Sequence, residues 1–293
     1  MIRIDIFLIN VFSRAVSVFI VVADGGVLFS FTRKPCCGYL CFSYFCALKL
    51  FEMVRILCLE TSTEVCSVAL VEDGKVVDYR EDVSGQNHSK LLTLFMKELL
   101  ASNGLNASAF DAVAVSRGPG SYTGLRIGVS AAKGFCYGAD IPLMAVSSLQ
   151  AMASHVVENS EKYGLAITPS DRLVPMIDAR RMEVYTAVYD PALNPLVEVN
   201  ALVVDDASFS DMAQHSRLLL FGNGSAKCKT VLAGQPFCFV DGIVASATHM
   251  ATLANRMYQA HDFVDVAYFE PFYLKDFIAT VPQNKVLNPP PTT

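Results

Sequence analysis

Ser116-Arg117-Gly118-Pro119-Gly120-Ser121-Tyr122-Thr123-Gly124-Leu125-Arg126 is the stretch on which the fold turns. A short apolar run, AVAVS at residues 112–116, leads into it, and a small-residue helical pattern leaves it at residues 125–137. A strand, a glycine-rich turn and a helix therefore follow one another without a spacer. Glycine allows positive φ and close backbone approach, and a helix N-terminus attracts anions. The spacing G-x-G-x-x-x-G is not the dinucleotide fingerprint. No G-K-[ST] closes it as a P-loop, and Ser121 has no glycine two residues before it, as a nucleophile elbow requires. The turn is read either as a phosphate cradle or as a tight junction packed through its glycines.

Upstream, residues 55–59 and 66–70 read as strands and 75–79 as a third, with Glu72-Asp73-Gly74-Lys75 as a hairpin signal. Between the first two lies Glu60-Thr61-Ser62-Thr63, a hydroxyl-rich turn that could expose successive N–H groups to an anion or be an ordinary hairpin. Residues 89–101 read as a helix whose apolar face, with Leu91, Leu92, Leu94, Phe95, Met96 and Leu99, is wider than one core contact needs. Downstream, 142–146 reads as a strand and 147–158 as a helix. A connection at 169–172 opens a second half: strands at 174–178 and 184–189, a strand at 217–221 and a helix at 248–259. This order predicts an α/β chain in two lobes. No short-period repeat is visible.

The chain has 293 residues, 53% hydrophobic and 17% charged, which excludes intrinsic disorder. Residues 1–52 stand apart, with 34 apolar positions and four of the nine cysteines. Their charges break them up; the longest uncharged run, 35–48, is 14 residues, short of the roughly 20 that a membrane span needs. Met53 is followed at once by the first clear strand. Residues 1–52 therefore read as a non-native or disordered extension, with a targeting or anchoring piece and a folded extension as alternatives. They hold five basic and three acidic residues, leaving 18 basic and 25 acidic beyond them and a net charge of −7. An acidic domain does not hold a phosphate backbone by net charge alone. The remaining cysteines, Cys58, Cys66, Cys136, Cys228 and Cys238, are odd in number and scattered, as in a reducing compartment.

ILCLETSTEVCSVAL, HSKLLTLFMKELL, AVSRGPGSYTGLRIGVSAAKGFC and PLMAVSSLQAMA, in that order, resemble the bacterial TsaB (YeaZ) family. That family is a component of tRNA threonylcarbamoyladenosine modification. The resemblance runs from about residue 53 to 285 and implies the two-lobed actin/Hsp70/sugar-kinase fold, which is ribonuclease H-like. It implies a first, Gcp-like and partner-binding lobe at 53–160 and a second at 161–285. Residues 286–293 read as a disordered tail.

The resemblance extends to the catalytic paralogue, the threonylcarbamoyl transferase of TsaD type. That paralogue has two metal-binding histidines where Ser148 and Met152 stand here. Ser and Met at those places cannot hold a hard divalent ion. The five histidines, His88, His155, His215, His249 and His261, form no H-x-x-x-H or H-E-x-x-H, and the nearest two are 12 apart.

The expectation is a non-catalytic scaffold or activator with no catalytic residue, no metal and no cofactor beyond weak ATP or ADP binding. A nucleotide-like turn comprises Glu60, Thr61, Ser62, Thr63, Gly118, Gly120, Ser121, Thr123, Gly124 and Arg126. The partner face comprises Leu91, Leu92, Phe95 and Leu99 with the small residues Gly128, Ala131, Ala132 and Gly134. The implied partners are the transferase and a small ATPase of TsaE type, with tRNA reached only through the complex. The chain is expected to be a homodimer when alone, cytoplasmic and off the membrane. The competing reading is an ATPase or small-molecule kinase of the same fold, with Phe221-Gly222-Asn223-Gly224-Ser225-Ala226-Lys227 read as a second phosphate turn or as a helix-entry turn. Asp178-Ala179-Arg180-Arg181 reads as a charged loop or a partner contact. A protease reading fails for want of any chelating or nucleophilic constellation.

Overall fold

The computed structural model describes four strands between residues 5 and 47, and residues 53–275 apart from Gln86 and Gln235. The expected tail at 286–293 lies outside the described residues. The chain divides into two units, Met1–Met53 and Val54–Thr293. The first carries β1 (Asp5–Leu8), β2 (Val16–Ala23), β3 (Gly26–Arg33) and β4 (Cys46–Ala47), paired in that order as an antiparallel sheet.

The second unit holds two five-stranded mixed sheets. In the first, β5 (Arg55–Glu60), β6 (Cys66–Glu72) and β7 (Lys75–Asp82) form an antiparallel meander. Next, β8 (Ala112–Gly118) lies parallel to β5, and β9 (Leu143–Ser147) parallel to β8. The sheet order is β7-β6-β5-β8-β9. The second sheet is built from β10 (Arg172–Asp178), β11 (Glu183–Tyr189), β12 (Pro195–Val203), β13 (Leu218–Phe221) and β14 (Cys238–Val240), in the order β12-β11-β10-β13-β14. Counted within each sheet, both orders run third, second, first, fourth, fifth, with the same parallel and antiparallel pairings. The two lobes are thus one topology used twice, as the two-lobed expectation requires. The sequence shows no sign of the duplication because matching positions carry different residues, Glu60-Thr61-Ser62 in one lobe and Asp178-Ala179-Arg180 in the other.

Strand β5 is buried on both faces because successive side chains point to opposite sides. Leu57 and Leu59 join the core beneath helices α1 (His88–Ser102) and α2 (Tyr122–Ala139). Ile56 and Cys58 join the core that holds α3 (Ser148–Glu158), α6 (Ala251–Gln259) and the inner face of the second sheet. A third cluster, with Val174, Met176, Leu218 and Leu220, covers that sheet's outer face. Short helices α4 (Ser210–Ala213) and α5 (Ser225–Cys228) precede and follow β13. Burial pushes the Cys58 and Cys136 thiols up to about 12, so they behave as small apolar groups. No described helix is long and apolar enough to cross a membrane.

The width of the α1 apolar face has an internal cause. Leu92, Met96 and Leu99 are buried against the sheet, with Leu91, Phe95 and Leu100 partly buried beside them. On α2, Gly128 and Ala132 are also inside. The expectation that all eight residues form one exposed partner face is therefore corrected. Leu92, Leu99, Gly128 and Ala132 belong to the monomer's own core. Leu91, Phe95 and Ala131 are partly exposed and Gly134 is exposed.

Candidate functional site: the glycine turn and the groove between α1 and α2

The glycine-rich turn ends β8 and caps α2. Ser121 is the N-cap, and its Oγ accepts the Gly124 N–H at 3.3 Å. The Ser121 N–H donates to the Ser62 carbonyl at 2.7 Å, and the Thr61 N–H to Ser116 Oγ at 3.3 Å. The turn after β5 thus packs directly on the turn after β8. A Cβ on Gly120 would collide with the Ser62 carbonyl, and one on Gly124 with the Thr61 carbonyl. Gly128, one turn further on, leaves room for Thr61 Oγ1. The close approach signalled by these glycines is made by the chain itself.

The hydroxyl-rich turn is buried. Glu60, Thr61 and Ser62 are essentially inaccessible, and Thr63 nearly so. Glu60 Oε1 accepts the Ser62 N–H at 2.6 Å. Burial pushes the Glu60 carboxyl up, opposed by the Ser62 backbone and by the nearby Ser62, Ser116 and Ser148 hydroxyls. Those hydroxyls stand close, yet Glu60 Oε2, Thr61 Oγ1, Ser62 Oγ and Ser148 Oγ have no hydrogen-bond partner among the described residues. A carboxyl so enclosed meets no solute from solvent and braces its own turn. His88 ties α1 to the same turn: its Nε2 donates to the Thr63 carbonyl at 3.0 Å.

Thr123 and Arg126 point the other way, into an open groove of about 730 Å³ between α1 and α2. Ser89, Thr93, Tyr122, Ile127, Ser130 and Ala131 line it with them, and the buried Leu92 forms part of its floor. Arg126 lies over the Tyr122 ring at 5.5 Å, and the Tyr122 and Tyr273 rings pack at a tilt of 40° with centroids 4.7 Å apart. The predicted turn residues are thus split between a buried junction and this groove. Ser148 and Met152, one helical turn apart on α3, are both fully buried. A fully buried serine and methionine give a divalent ion neither a charged ligand nor a way in.

The second glycine turn faces the first lobe. Asn223 Nδ2 donates to Glu64 Oε2 at 2.7 Å, and its Oδ1 accepts the Asp178 N–H. A Gly222 Cβ would strike the Met176 carbonyl, so this turn too is packed on the strand beside it. Lys227 holds Asp178, and Lys275 holds Glu183.

One pair escapes sequence reasoning. His155 and His249 stack with ring centroids 3.7 Å apart. Nothing in the sequence couples two residues 94 positions apart. Stacked rings present their faces, not converging nitrogens, to each other.

The model of the tRNA N6-adenosine threonylcarbamoyltransferase (TsaD) family matches residues 82–283. The tRNA threonylcarbamoyladenosine biosynthesis protein TsaB of Escherichia coli (strain K12) is 31% identical over 232 residues, 77% of this chain and 96% of that protein. The chain belongs to the TsaB (YeaZ) family. The TsaB of Haemophilus influenzae is 40% identical over 134 residues, 46% of this chain and 53% of that protein. The solved structure of YeaZ from Pseudomonas aeruginosa, 27% identical, superposes with a TM-score of 0.65 over 76% of this chain and 100% of that one. The match to the TsaD family model over residues 82–283 places the TsaB relatives and the transferases in sequence relation to one another across most of the chain.

Proposed function

We propose that this chain is the non-catalytic partner of a threonylcarbamoyl transferase in the modification of tRNA adenosine 37. The observation that carries the reading is the pair Ser148 and Met152, both fully buried on α3. The family resemblance sets these positions against the paralogue's metal-binding histidines, and neither side chain can replace one. The partner face we assign is the groove between α1 and α2, with Ile127 and Ala131 as its partly exposed apolar lining. An open, partly apolar groove between two helices suits a helical face of a second protein. The same groove would pair two copies when the transferase is missing.

No cofactor enters this reading. The Ser121 and Gly124 N–H groups, which a phosphate would need, are bonded to Ser62 and Ser121 instead. That arrangement weighs against the ATPase or kinase alternative. A small ATPase of TsaE type and tRNA would join through the complex, in the cytoplasm. The working unit is residues 53–285, as lobes 53–160 and 161–285.

Reconstitution tests the reading. The transferase with its small ATPase should modify an unmodified tRNA only when this chain is added, and the chain alone should neither modify tRNA nor hydrolyse ATP. A transferase equally active without it, or turnover by the chain alone, overturns the proposal.

A further inference from the structure

We infer that the turn joining β10 and β11 is an RNA phosphate-binding point, presented by Arg180 and Arg181 when the chain is in its complex. The inference rests on the reading above for its occasion, but its support is separate. Both arginines are exposed, and both lie in the left-handed region, with φ of 73° and 49°. Two consecutive left-handed residues in a turn are a place for Gly or Asn; long side chains there work against the local backbone preference.

The backbone of the turn is fixed. The Arg180 N–H donates to Asp178 Oδ1 at 2.8 Å, the Glu183 N–H to the Arg180 carbonyl at 3.1 Å, and the Ala179 N–H to the Glu183 carbonyl at 3.0 Å. Among the described residues neither guanidinium has an ion-pair partner, because the two carboxylates at the base of the hairpin are already taken. Asp178 is held by Lys227 and Glu183 by Lys275. Four cations against two carboxylates leave the hairpin at +2. Counting Glu64, which approaches through Asn223, still leaves +1.

This surplus sits in a domain whose net charge is −7, so it is a local feature and not the overflow of a basic protein. Two guanidiniums carried on a fixed turn suit phosphate oxygens, which they meet with planar paired donors. Their exposure at a hairpin tip favours an extended RNA backbone over a nucleotide enclosed between lobes, where Glu64 and Asn223 already meet.

The test uses the full chain assembled with its transferase and small ATPase, and an unmodified tRNA that reads codons beginning with A. Arg180→Gly/Arg181→Gly removes both charges and relieves both left-handed residues, so it should melt no lower than wild type. Its tRNA affinity should fall, and the slope of log affinity against log salt should drop by about 0.7–0.9 for each phosphate no longer neutralised. Arg180→Lys/Arg181→Lys should restore most of the slope. An unchanged slope in the glycine variant overturns the inference while leaving the preceding reading intact. So does loss of transferase pairing, which would make the turn a protein contact. A fall in ATP affinity with tRNA binding unchanged would name a nucleotide instead and overturn it as well. If the wild-type chain forms no tRNA-binding complex, the preceding reading fails first and this one with it.

Discussion

The stacked histidines make the fold sensitive to mild acid. His155 Nδ1 accepts from Asn159 Nδ2 at 3.3 Å, which leaves its Nε2–H to donate to the Tyr163 hydroxyl at 2.9 Å. His249 Nδ1 is buried with no partner among the described residues. Burial, then the Lys162 charge, holds His155 down to about 4. Burial, then His155 and Lys162, holds His249 down to about 3. In the unfolded chain both titrate near 6.5. As pH falls below about 6.5 the unfolded state takes up two protons and the folded state does not, so stability is lost from about 6.5 down toward the folded values. At pH 5 the gap from 6.5 is about 1.5 pH units, or about 2 kcal/mol per histidine and about 4 kcal/mol for the pair. Carboxylates held low, such as Asp78 at about 2, act only below this window. Urea unfolding followed by circular dichroism at pH 7.5, 6 and 5 should show the loss. The variant His155→Phe/His249→Phe, which keeps the two rings, should lose little across the same range. A double variant as acid-sensitive as wild type would refute the assignment.

The same substitution should have opposite signs at two places on α2. Gly124→Ala drives a Cβ into the Thr61 carbonyl and should cost about 1–3 kcal/mol; Gly134→Ala meets nothing and should gain about 0.5–1 kcal/mol. Thermal melts of both variants check this. Leu92→Glu buries an unpaired charge and should unfold the protein. Thr93→Glu/Ala131→Glu, at an exposed and a partly exposed position of the groove, should stay folded and lose pairing with the transferase, as read by size-exclusion chromatography with circular dichroism. Elemental analysis of purified protein should find no stoichiometric zinc or iron; one metal per chain, lost on mutating a histidine, would contradict the chemistry of Ser148 and Met152.

The first lobe is legible in the sequence because β5, β6, β8 and β9 are buried on both faces and so read as apolar runs, while a hairpin signal marks the exposed edge strand β7 and the glycine turn fixes the β8–α2 junction. Two strands are not. β12 is an edge strand that starts at Pro195 and is mostly exposed, so it carries no clear alternation. β14 has only three residues. The small residues of α2 signal a close neighbour but not which one. Spacing alone cannot separate a second helix from a strand turn, and the neighbour at Gly124 and Gly128 is Thr61, more than 60 positions earlier. For the same reason the apolar width of α1 points outward in the sequence when much of it faces the sheet and α2.

The duplicated topology makes the division of labour between the lobes a physical question. Each lobe ends its first strand in a turn and opens a helix after its fourth strand with glycines, the arrangement that in a two-lobed fold can bring two anion-binding turns face to face. In the first lobe the N–H groups and close approaches of that arrangement are used within the chain: Ser121 on Ser62, Gly124 on Ser121 and against Thr61. In the second, Gly222 packs against Met176, and Asn223 reaches across to Glu64. A phosphate between the lobes would have to displace these bonds before gaining any of its own. The surfaces not committed in this way lie elsewhere, at the groove between α1 and α2 and at the arginines beyond Asp178. A cleft committed to the chain's own contacts leaves these outer surfaces free, which is what the partner-binding function proposed above requires.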